Sequence, residues 1–373
     1  MQVHVKVQTD HLRDALNKVL SVVDKRNSRP ILTYTLITAE EGFIHLSATD
    51  LEVSARVSVE ADILEKGSFC LNAKNLFDIL RELPTGTVDL SLNSDENTLK
   101  LHCQDIHYSL LIYNGSDFPP ISFGNDQNKF SLTSSSVLEI INKTSHAISS
   151  DETRLNLNGI YMHTFDGKLR AVATDGHRLS MYDVEVDDVD IEALINGIII
   201  PRKGVNELKK IAESHPDSKI TLSVDDSFLY ASAENKYFLS VRLISREYPK
   251  YQKIIPAKSQ SFMSADRITL FNAIKRIKIM SNEKSNGVRV KLGNNEMLIS
   301  ANHPSLGDAY ERVPIKYEGK DLEIGFNAKY LIDTLSIFEE GDISFELDNE
   351  HRPVVIKSQI LPHYLGIVMP LKL

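Results

Sequence analysis

A chain of 373 residues is long enough for two or three domains, each able to bury its own core. Its composition, 42% hydrophobic and 25% charged, is ordinary for a water-soluble globular protein. No stretch approaches the roughly eighteen consecutive apolar residues of a membrane-spanning helix, and the N-terminus lacks the apolar core of a signal peptide. The two cysteines, Cys70 and Cys103, have no metal-ligand spacing and favour a reducing, cytoplasmic location. The net charge of −9, taken alone, argues against nucleic acid as a partner.

The first segment of the chain combines two helical patterns with alternating strands. Apolar residues at helical spacing predict helices at 10–23 and 72–83, the second ended by Pro84. Alternation of apolar and polar residues predicts strands before, between and after these helices. Residues 122–128, rich in Gly, Asn and Asp, read as a linker.

The same order of elements follows twice more. In the second segment helices are predicted at 133–148 and at 201–213, where the fixed φ of Pro201 suits a first helical turn. In the third segment they are predicted at 265–280 and 326–338, again with strands between them.

Two short motifs indicate that the segments are copies of one unit. Asn72-Ala73-Lys74-x-Leu76-x-Asp78-x-Leu80 shares these residue types with Asn327-Ala328-Lys329-x-Leu331-x-Asp333-x-Leu335. A strand that enters a tight turn at Asp175-Gly176 resembles residues 47–52 and 300–303. The period of roughly 125 residues is far longer than the 20 to 50 of a solenoid or propeller, so each copy is a whole domain.

We therefore predict an α+β fold of three tandem copies of one domain. Each copy should have two helices and seven or eight mostly antiparallel strands. The predicted domains are residues 1–124, 128–247 and 248–373. Similar domains in a row offer similar end surfaces, and their head-to-tail contact either closes into a ring or grows into a filament; closure is favoured for a soluble protein.

The charge is distributed unevenly between the predicted elements. The six helical windows together carry a positive charge, so strands and loops are more acidic than the whole chain. Such helices can simply be solvated faces. Segregation across all six also suits a surface that meets phosphates in a body that repels DNA elsewhere. The candidate phosphate-contacting residues are Arg13, Lys74, Arg81, Lys143, Arg202, Lys203, Lys209, Lys275, Arg276 and Lys278.

Several segments, in this order, resemble the signature segments of bacterial DNA polymerase III beta subunits, the sliding clamps. They are Ala173-Thr174-Asp175-Gly176-His177-Arg178-Leu179, Pro201-Arg202-Lys203-Gly204-Val205, Ser281-Asn282-Glu283-Lys284, Gly325-Phe326-Asn327 and Val368-Met369-Pro370-Leu371-Lys372-Leu373. The resemblance covers the whole chain. It implies three clamp domains per chain and a head-to-tail homodimer, a six-domain ring with helices around the hole. It also implies a non-catalytic processivity subunit that encircles double-stranded DNA, with Arg26 and the loop 150–156, including Arg154, near the DNA.

The resemblance further implies a groove for short partner peptides, usually with a Gln and a pair of apolar residues. The implied partners are the polymerase III catalytic subunit, the clamp loader, and other polymerases and repair factors. No metal or other cofactor is implied, since ATP use in the family belongs to the loader. The implied groove residues are Leu157, Thr174, Gly176, His177, Arg178, Leu179, Pro249, Lys253, Ile254, Asn327, Tyr330, Pro353, Val368, Met369, Pro370 and Leu371.

Leu, Ile, Val, Met and Pro side chains would form an apolar floor for the peptide, and Arg178 with His177 would offer donors at its rim. The alternative is that residues 368–371 merely complete a sheet. The implied dimer interface consists of Lys74, Ile79, Ser109, Leu110, Ile279, Met280, Asp308 and Glu311.

Two other functional classes compete with the clamp. Asp175, His177 and Ser180 include the residue types of a hydrolytic triad, but neighbours on one strand rarely converge on a substrate, and no nucleophile elbow accompanies them. A scaffold of three binding domains that does not close into a ring is the other alternative. Ring closure on DNA would separate the clamp from both.

Overall fold

The computed structural model describes residues 2–23, 29–92, 97–124, 128–186 and 192–372, and the statements below concern these residues. The α-helices are α1 (Thr9–Leu20), α2 (Ala73–Glu82), α3 (Ser134–Thr144), α4 (Glu192–Asn196), α5 (Arg202–Ser214), α6 (Arg267–Lys278) and α7 (Ala328–Leu335).

The strands alternate with these helices along the chain. The first third contains β1 (Val3–Gln8), β2 (Tyr34–Glu40), β3 (Phe43–Thr49), β4 (Val53–Glu60), β5 (Asp62–Glu65), β6 (Gly67–Asn72), β7 (Thr87–Leu92), β8 (Thr98–Cys103), β9 (Ile106–Leu111) and β10 (Tyr113–Asn114). The middle third contains β11 (Lys129–Thr133), β12 (Gly159–Phe165), β13 (Lys168–Thr174), β14 (Arg178–Val184), β15 (Ile198–Pro201), β16 (Lys219–Val224), β17 (Phe228–Ala233) and β18 (Tyr237–Arg242). The last third contains β19 (Ser261–Asp266), β20 (Gly287–Gly293), β21 (Glu296–His303), β22 (Gly307–Pro314), β23 (Lys316–Glu318), β24 (Leu322–Asn327), β25 (Asp342–Leu347), β26 (Val354–Lys357) and β27 (Tyr364–Val368).

The six long helices and the antiparallel strands confirm the predicted α+β architecture, with three differences. Helix α4 was not predicted. Pro201 ends β15 and pairs with Gly159, so the prediction that it begins a helix is wrong and α5 begins at Arg202. Strands outnumber the prediction in the first and last thirds, because short pieces such as β5, β10 and β23 pair at sheet edges.

Two compact units make up the chain, and each contains one nine-stranded and one smaller antiparallel sheet. The first unit, residues 1–138 with 203–243, has the orders β5-β1-β7-β8-β9 and β10-β6-β2-β3-β4-β18-β17-β16-β11. The second, residues 139–202 with 244–373, has the orders β15-β12-β13-β14-β27-β26-β25-β19-β23 and β22-β21-β20-β24.

Each nine-stranded sheet therefore contains strands from two different thirds of the chain. In the first unit β4 pairs with β18, and in the second β14 pairs with β27, both antiparallel. The middle third of the chain contributes strands to both units.

The helices bury one face each, as their apolar spacing predicts. Leu12, Leu16 and Val19 of α1 are fully buried, and α1 packs on α2. The shared motif has the same local role in its two copies: the Asn72 side chain accepts from the Asn75 amide, and the Asn327 side chain caps α7 by accepting from the Lys329 and Tyr330 amides.

The predicted strand-turn repeat is confirmed in two copies. The Asp175 carboxylate accepts from the amides of His177 and Arg178 at 2.9 and 3.0 Å, and the Asp50 carboxylate accepts from the two equivalent amides at 2.9 and 2.6 Å. In both turns the threonine before the aspartate also accepts a hydrogen bond. Thr174 accepts from the Gly176 amide, and Thr49 accepts from the Leu51 amide.

The third copy keeps the strand and the turn but uses a different side chain. Strand β21 ends at His303, and residues 304–306 turn the chain into β22. Nδ1 of His303 accepts from the Ser305 amide at 3.2 Å, where a carboxylate accepts from the corresponding amide in the other two turns.

Close packing of α5 on β18 gives a test of the fold. A Cβ on Gly204 would lie 2.3 Å from a methyl carbon of Val241. We expect Gly204→Ala to destabilise the protein, because overpacking costs about 1–3 kcal/mol and the better helix propensity of alanine returns only about 1 kcal/mol. Urea denaturation measures the change.

Gly86→Ala is the control, because a Cβ there meets only ordinary contacts. Combining Gly204→Ala with Val241→Ala removes the clash, so the double variant should lose less stability than the sum of the single changes. Additive losses would contradict this packing.

Candidate functional site

A buried arginine lies at the centre of the predicted groove residues. The Arg178 side chain is 9% exposed, and its Nη1 donates to Asp333 Oδ2 at 2.5 Å while its Nε donates to Asp175 Oδ2 at 3.1 Å. Its guanidinium carbon lies 4.4 Å from the centroid of the Tyr330 ring. The expectation that Arg178 offers donors at the rim is therefore wrong: its charge is neutralised by two carboxylates, as burial of a guanidinium requires.

The Asp175 turn places the exposed residues of the site. Gly176 has φ +90°, a conformation that favours glycine, and the His177 ring stacks on Tyr330 with 6.4 Å between centroids. Arg154 donates from Nη1 to the Asp175 carbonyl at 3.0 Å, and a Cβ on Gly176 would lie 2.8 Å from its other terminal nitrogen. Arg154, which the resemblance places near DNA, thus lies against the turn of the groove.

The C-terminal segment borders this turn. Val368 is fully buried at the end of β27, opposite Arg178, so the alternative of sheet completion describes Val368 correctly. Beyond the strand, the Met369 amide donates to the His177 carbonyl and the Leu371 amide donates to the Gly325 carbonyl, both at 2.8 Å. Met369, Pro370 and Leu371 are half-buried, so their side chains remain partly accessible.

A tyrosine-rich core lies beneath the remaining groove residues. Leu157 and Leu179 pack in one buried cluster with Tyr248 and Tyr251. Tyr251 begins a short 3₁₀ turn that also contains the exposed Lys253, and half-buried Ile254 follows it. Pro249 and Pro353 are half-buried in the same unit, as is Asn327 at the start of α7.

His146 is a polar side chain that the sequence did not single out. Burial, with a smaller contribution from the Arg178 charge, lowers the pKa of His146 to about 4. Among the described residues its Nδ1 has no hydrogen-bond partner. His146 is therefore neutral at physiological pH and adds no charge to the Arg178 cluster.

The residues of the hydrolytic alternative do not form a triad. Ser180 is fully buried, and its hydroxyl is bonded to the Lys143 carbonyl at 2.6 Å and the Tyr364 hydroxyl at 2.9 Å. Asp175 is occupied by Arg178 and by its own turn. A serine held in this way cannot attack a substrate.

Many of the predicted phosphate-contacting cations have partners inside the chain. Arg202 donates to the Ile148 and Ser149 carbonyls, and Lys203 lies 2.5 Å from an Asp50 carboxylate oxygen. The remaining pairs are Arg13 with Asp10 and Asp14, Arg81 with Asp78 and Glu82, Lys143 with Glu139, Lys209 with Glu213, and Arg276 with Glu311.

Lys74, Lys275 and Lys278 have no ion pair among the described residues, although the ammonium of Lys275 lies 5.3 Å from the centroid of the Phe271 ring. Arg26 lies outside the described residues.

Four of the predicted interface residues lie on strands at sheet edges. Ser109 and Leu110 belong to β9, the edge of the five-stranded sheet, and Asp308 and Glu311 belong to β22, the edge of the four-stranded sheet. Ile79 and Met280 are half-buried, Lys74 is exposed, and Ile279, just after α6, is 74% exposed. Leu111 and Tyr310 on the same strands are 80% and 68% exposed. Nothing in the sequence distinguishes them, because an edge strand cannot be recognised before the sheet order is known.

Comparison with known proteins agrees with this architecture. The DNA polymerase III beta subunit families match in chain order: the N-terminal domain at residues 3–122, the central domain at 131–250 and the C-terminal domain at 252–372. The beta sliding clamp of Pseudomonas aeruginosa is 31% identical over 99% of this chain and 100% of its own length, and that of Caulobacter vibrioides is 31% identical over 97% of each.

Solved structures extend the comparison to the fold. The sliding clamp of Bartonella birtlesii bound to griselimycin has a TM-score of 0.94 and 31% identity, covering 100% of both chains. The DNA polymerase III beta subunit of Thermotoga maritima has a TM-score of 0.90 and 26% identity, again covering 100% of both.

The architecture defines a class of non-catalytic clamp proteins built from three tandem domains. This chain belongs to the DNA polymerase III beta subunit family, the bacterial sliding clamps, whose members are processivity factors rather than enzymes.

The Arg178 cluster gives a test of the site. Asp333→Asn removes one of the two charges that neutralise the buried guanidinium, so we expect a loss of about 1–3 kcal/mol in the free energy of unfolding. Urea denaturation measures it.

Arg178→Gln, alone and combined with Asp333→Asn, completes a double-mutant cycle. If the Arg178–Asp333 contact stabilises the fold, Asp333→Asn should cost much less in that background than in the wild type. Equal costs in both backgrounds would show that the contact contributes nothing.

Proposed function

We propose that two copies of this chain close head to tail into a ring around double-stranded DNA. The observation that carries the proposal is a pair of unlike sheet edges, β9 in the first third of the chain and β22 in the last, each with a large exposed apolar side chain. Unpaired edge strands readily accept another strand, and unlike surfaces on one chain give head-to-tail contacts that close when the rotation permits. Lys74, Ile79, Ile279 and Met280 would complete the interface.

In this proposal the chain comprises three clamp domains, residues 1–124, 128–247 and 248–373, and acts in the cytoplasm. On the basis of the family, the ring tethers the replicative polymerase to DNA. The clamp loader and other polymerases and repair factors would dock short peptides in the groove around the Arg178 cluster.

Contact with DNA should be electrostatic and weak. Phosphate contacts carry no direct sequence information, so a ring that uses them can move along any duplex. Residence then follows from topology, because a closed ring leaves only by opening or by running off an end. This distinguishes a clamp from an ordinary DNA-binding scaffold.

The first prediction of the proposal concerns this topology. A clamp loader should place the protein on nicked circular DNA, and gel filtration should recover it with the circle. Cutting the circle with a restriction enzyme should release it, since the ring can then slide off. Equal retention, or equal loss, on circular and linear DNA would contradict encirclement.

The second prediction concerns the cations of α6. Changing Lys275 and Lys278 to Gln removes two charges that no described carboxylate neutralises. The plot of log affinity for duplex DNA against log salt should then become shallower. The slope should change by about 0.9 for each phosphate that the variant no longer neutralises. The matched control changes Lys291 and Lys316, which lie on strands β20 and β23 and pair with Glu323 and Asp342, to Gln. An unchanged slope in the α6 variant would remove these lysines from the DNA-facing surface.

The third prediction concerns ring closure. Ile279→Asp buries a carboxylate if this residue lies in the proposed interface, so the dimer should dissociate, as sedimentation velocity would measure. Ile268→Asp is the control, because Ile268 lies at the opposite end of the same helix and is also exposed, at 52%. A dimer unaffected by Ile279→Asp would exclude that residue from the interface.

A further inference from the structure

One short segment supplies three of the proposed groove residues but has little regular structure of its own. Pro249, Lys253 and Ile254 lie between β18 and β19, where the described secondary structure is the single 3₁₀ turn Tyr251–Lys253. Its position relative to the sheet must therefore come from side-chain contacts.

A buried hydrogen bond provides the main contact. Tyr251 is 1% exposed, and its hydroxyl lies 2.8 Å from Nε2 of His163, a residue of β12. Nδ1 of His163 lies 2.9 Å from the Thr164 carbonyl, which can only accept, so in the neutral ring Nδ1 carries the proton. Nε2 is then the acceptor, and the Tyr251 hydroxyl donates to it.

An ion pair lies near this hydroxyl. Arg170 and Asp183 form two hydrogen bonds of 2.7 Å on neighbouring strands β13 and β14. Burial raises the pKa of Tyr251, and the nearby Arg170 opposes that rise.

A second aromatic contact fixes the start of the segment. Tyr248 stacks on Tyr161 of β12 with 4.6 Å between centroids and 7° between planes. Tyr161 in turn lies 4.9 Å from the His163 ring. His163 is therefore surrounded by residues that hold the segment on the sheet.

We infer that His163 is a positioning residue of the peptide groove: by accepting from Tyr251 it holds the segment of Pro249, Lys253 and Ile254 in place, and its protonation weakens peptide binding. This inference rests on the proposed peptide-binding function. His163 does not itself touch the peptide.

The charges around His163 set the direction of the effect. Burial lowers the pKa of His163 and the Arg170 charge lowers it further, while the hydrogen bond to the Thr164 carbonyl and the Asp183 charge oppose them. Tyr161 and Tyr251 face the ring as neutral phenols, since burial raises the pKa of each. The folded protein therefore holds His163 neutral at pH 7 and resists its protonation below the ordinary pKa of 6.5.

Protonation changes both partners of the hydrogen bond. Nε2 becomes a donor, the Tyr251 proton loses its acceptor, and a second cation appears beside Arg170. The unfolded chain binds this proton more readily than the folded protein does. The contribution of neutral His163 to the free energy of unfolding is therefore lost as the pH falls below 6.5. The segment should loosen over the same range and peptide affinity should fall.

The experiment measures the affinity of the full-length dimer for a labelled short peptide containing one Gln and a pair of apolar residues, between pH 7.5 and pH 5. All variants carry His177→Gln, which removes the exposed imidazole at the Asp175 turn from the comparison. In this parent we expect affinity to fall several-fold with acid. Adding His163→Gln should abolish most of that fall, because the Gln amide can accept from Tyr251 and donate to Thr164 without titrating.

Tyr251→Phe should weaken binding at pH 7.5 by about tenfold or less, the scale of one hydrogen bond. An unchanged pH dependence after His163→Gln, with folding verified by thermal denaturation, would overturn the inference. Absence of binding by the wild-type protein at every pH would instead overturn the proposed peptide-binding function.

Discussion

Pairing of β14 with β27 is the constraint on which the proposed peptide groove depends. It places Arg178 opposite Val368 and Leu179 opposite Ile367, and so brings the Asp175 turn beside the last residues of the chain. Register matters because a slip of one residue would turn every side chain to the opposite face of the sheet. Ile367 and Val368 face opposite sides of β27 and both are buried, so a slip would disturb the packing on both faces of the strand. The register of this pairing thus fixes the position of the Asp175 turn relative to the C-terminal residues.

The Arg178 cluster adds rigidity where the sheet ends. A buried guanidinium contributes little net stability, because desolvation offsets much of its attraction to carboxylates. Its consequence is geometric: Arg178 links the turn, through Asp175, to helix α7, through Asp333, and supports the Tyr330 ring against which His177 stacks. The proposed peptide groove would combine fixed polar residues with an adaptable methionine, which suits a site for several peptides. In the proposed groove, the hydrogen bond between Tyr251 and His163 has the same role for residues 249–254.

Local features were predictable from the sequence, and long-range partners were not. Apolar spacing located the long helices, and the shared Asn72 and Asn327 motif indicated two copies of one local structure, because these features depend on residues a few positions apart. Lys203 and Asp50 are 153 positions apart and Arg178 and Asp333 are 155 apart, so no local pattern could show that these cations are occupied. The resemblance alone placed Arg154 near DNA, and its contact with the Asp175 turn could be seen only in the fold.

These internal partners bear on how a clamp could hold DNA and still slide. Arg13 pairs with Asp10 three positions earlier, and Lys209 pairs with Glu213 four positions later, at partly exposed sites. Such pairs contribute only about 0–1 kcal/mol, so a passing phosphate can replace the carboxylate at little cost and be replaced in turn. A surface whose cations are already partly neutralised attracts DNA more weakly than one of free lysines, and it makes each step along the duplex an exchange between nearly equivalent partners. In the proposed ring, weak attraction is compatible with long residence because topology, rather than affinity, prevents escape.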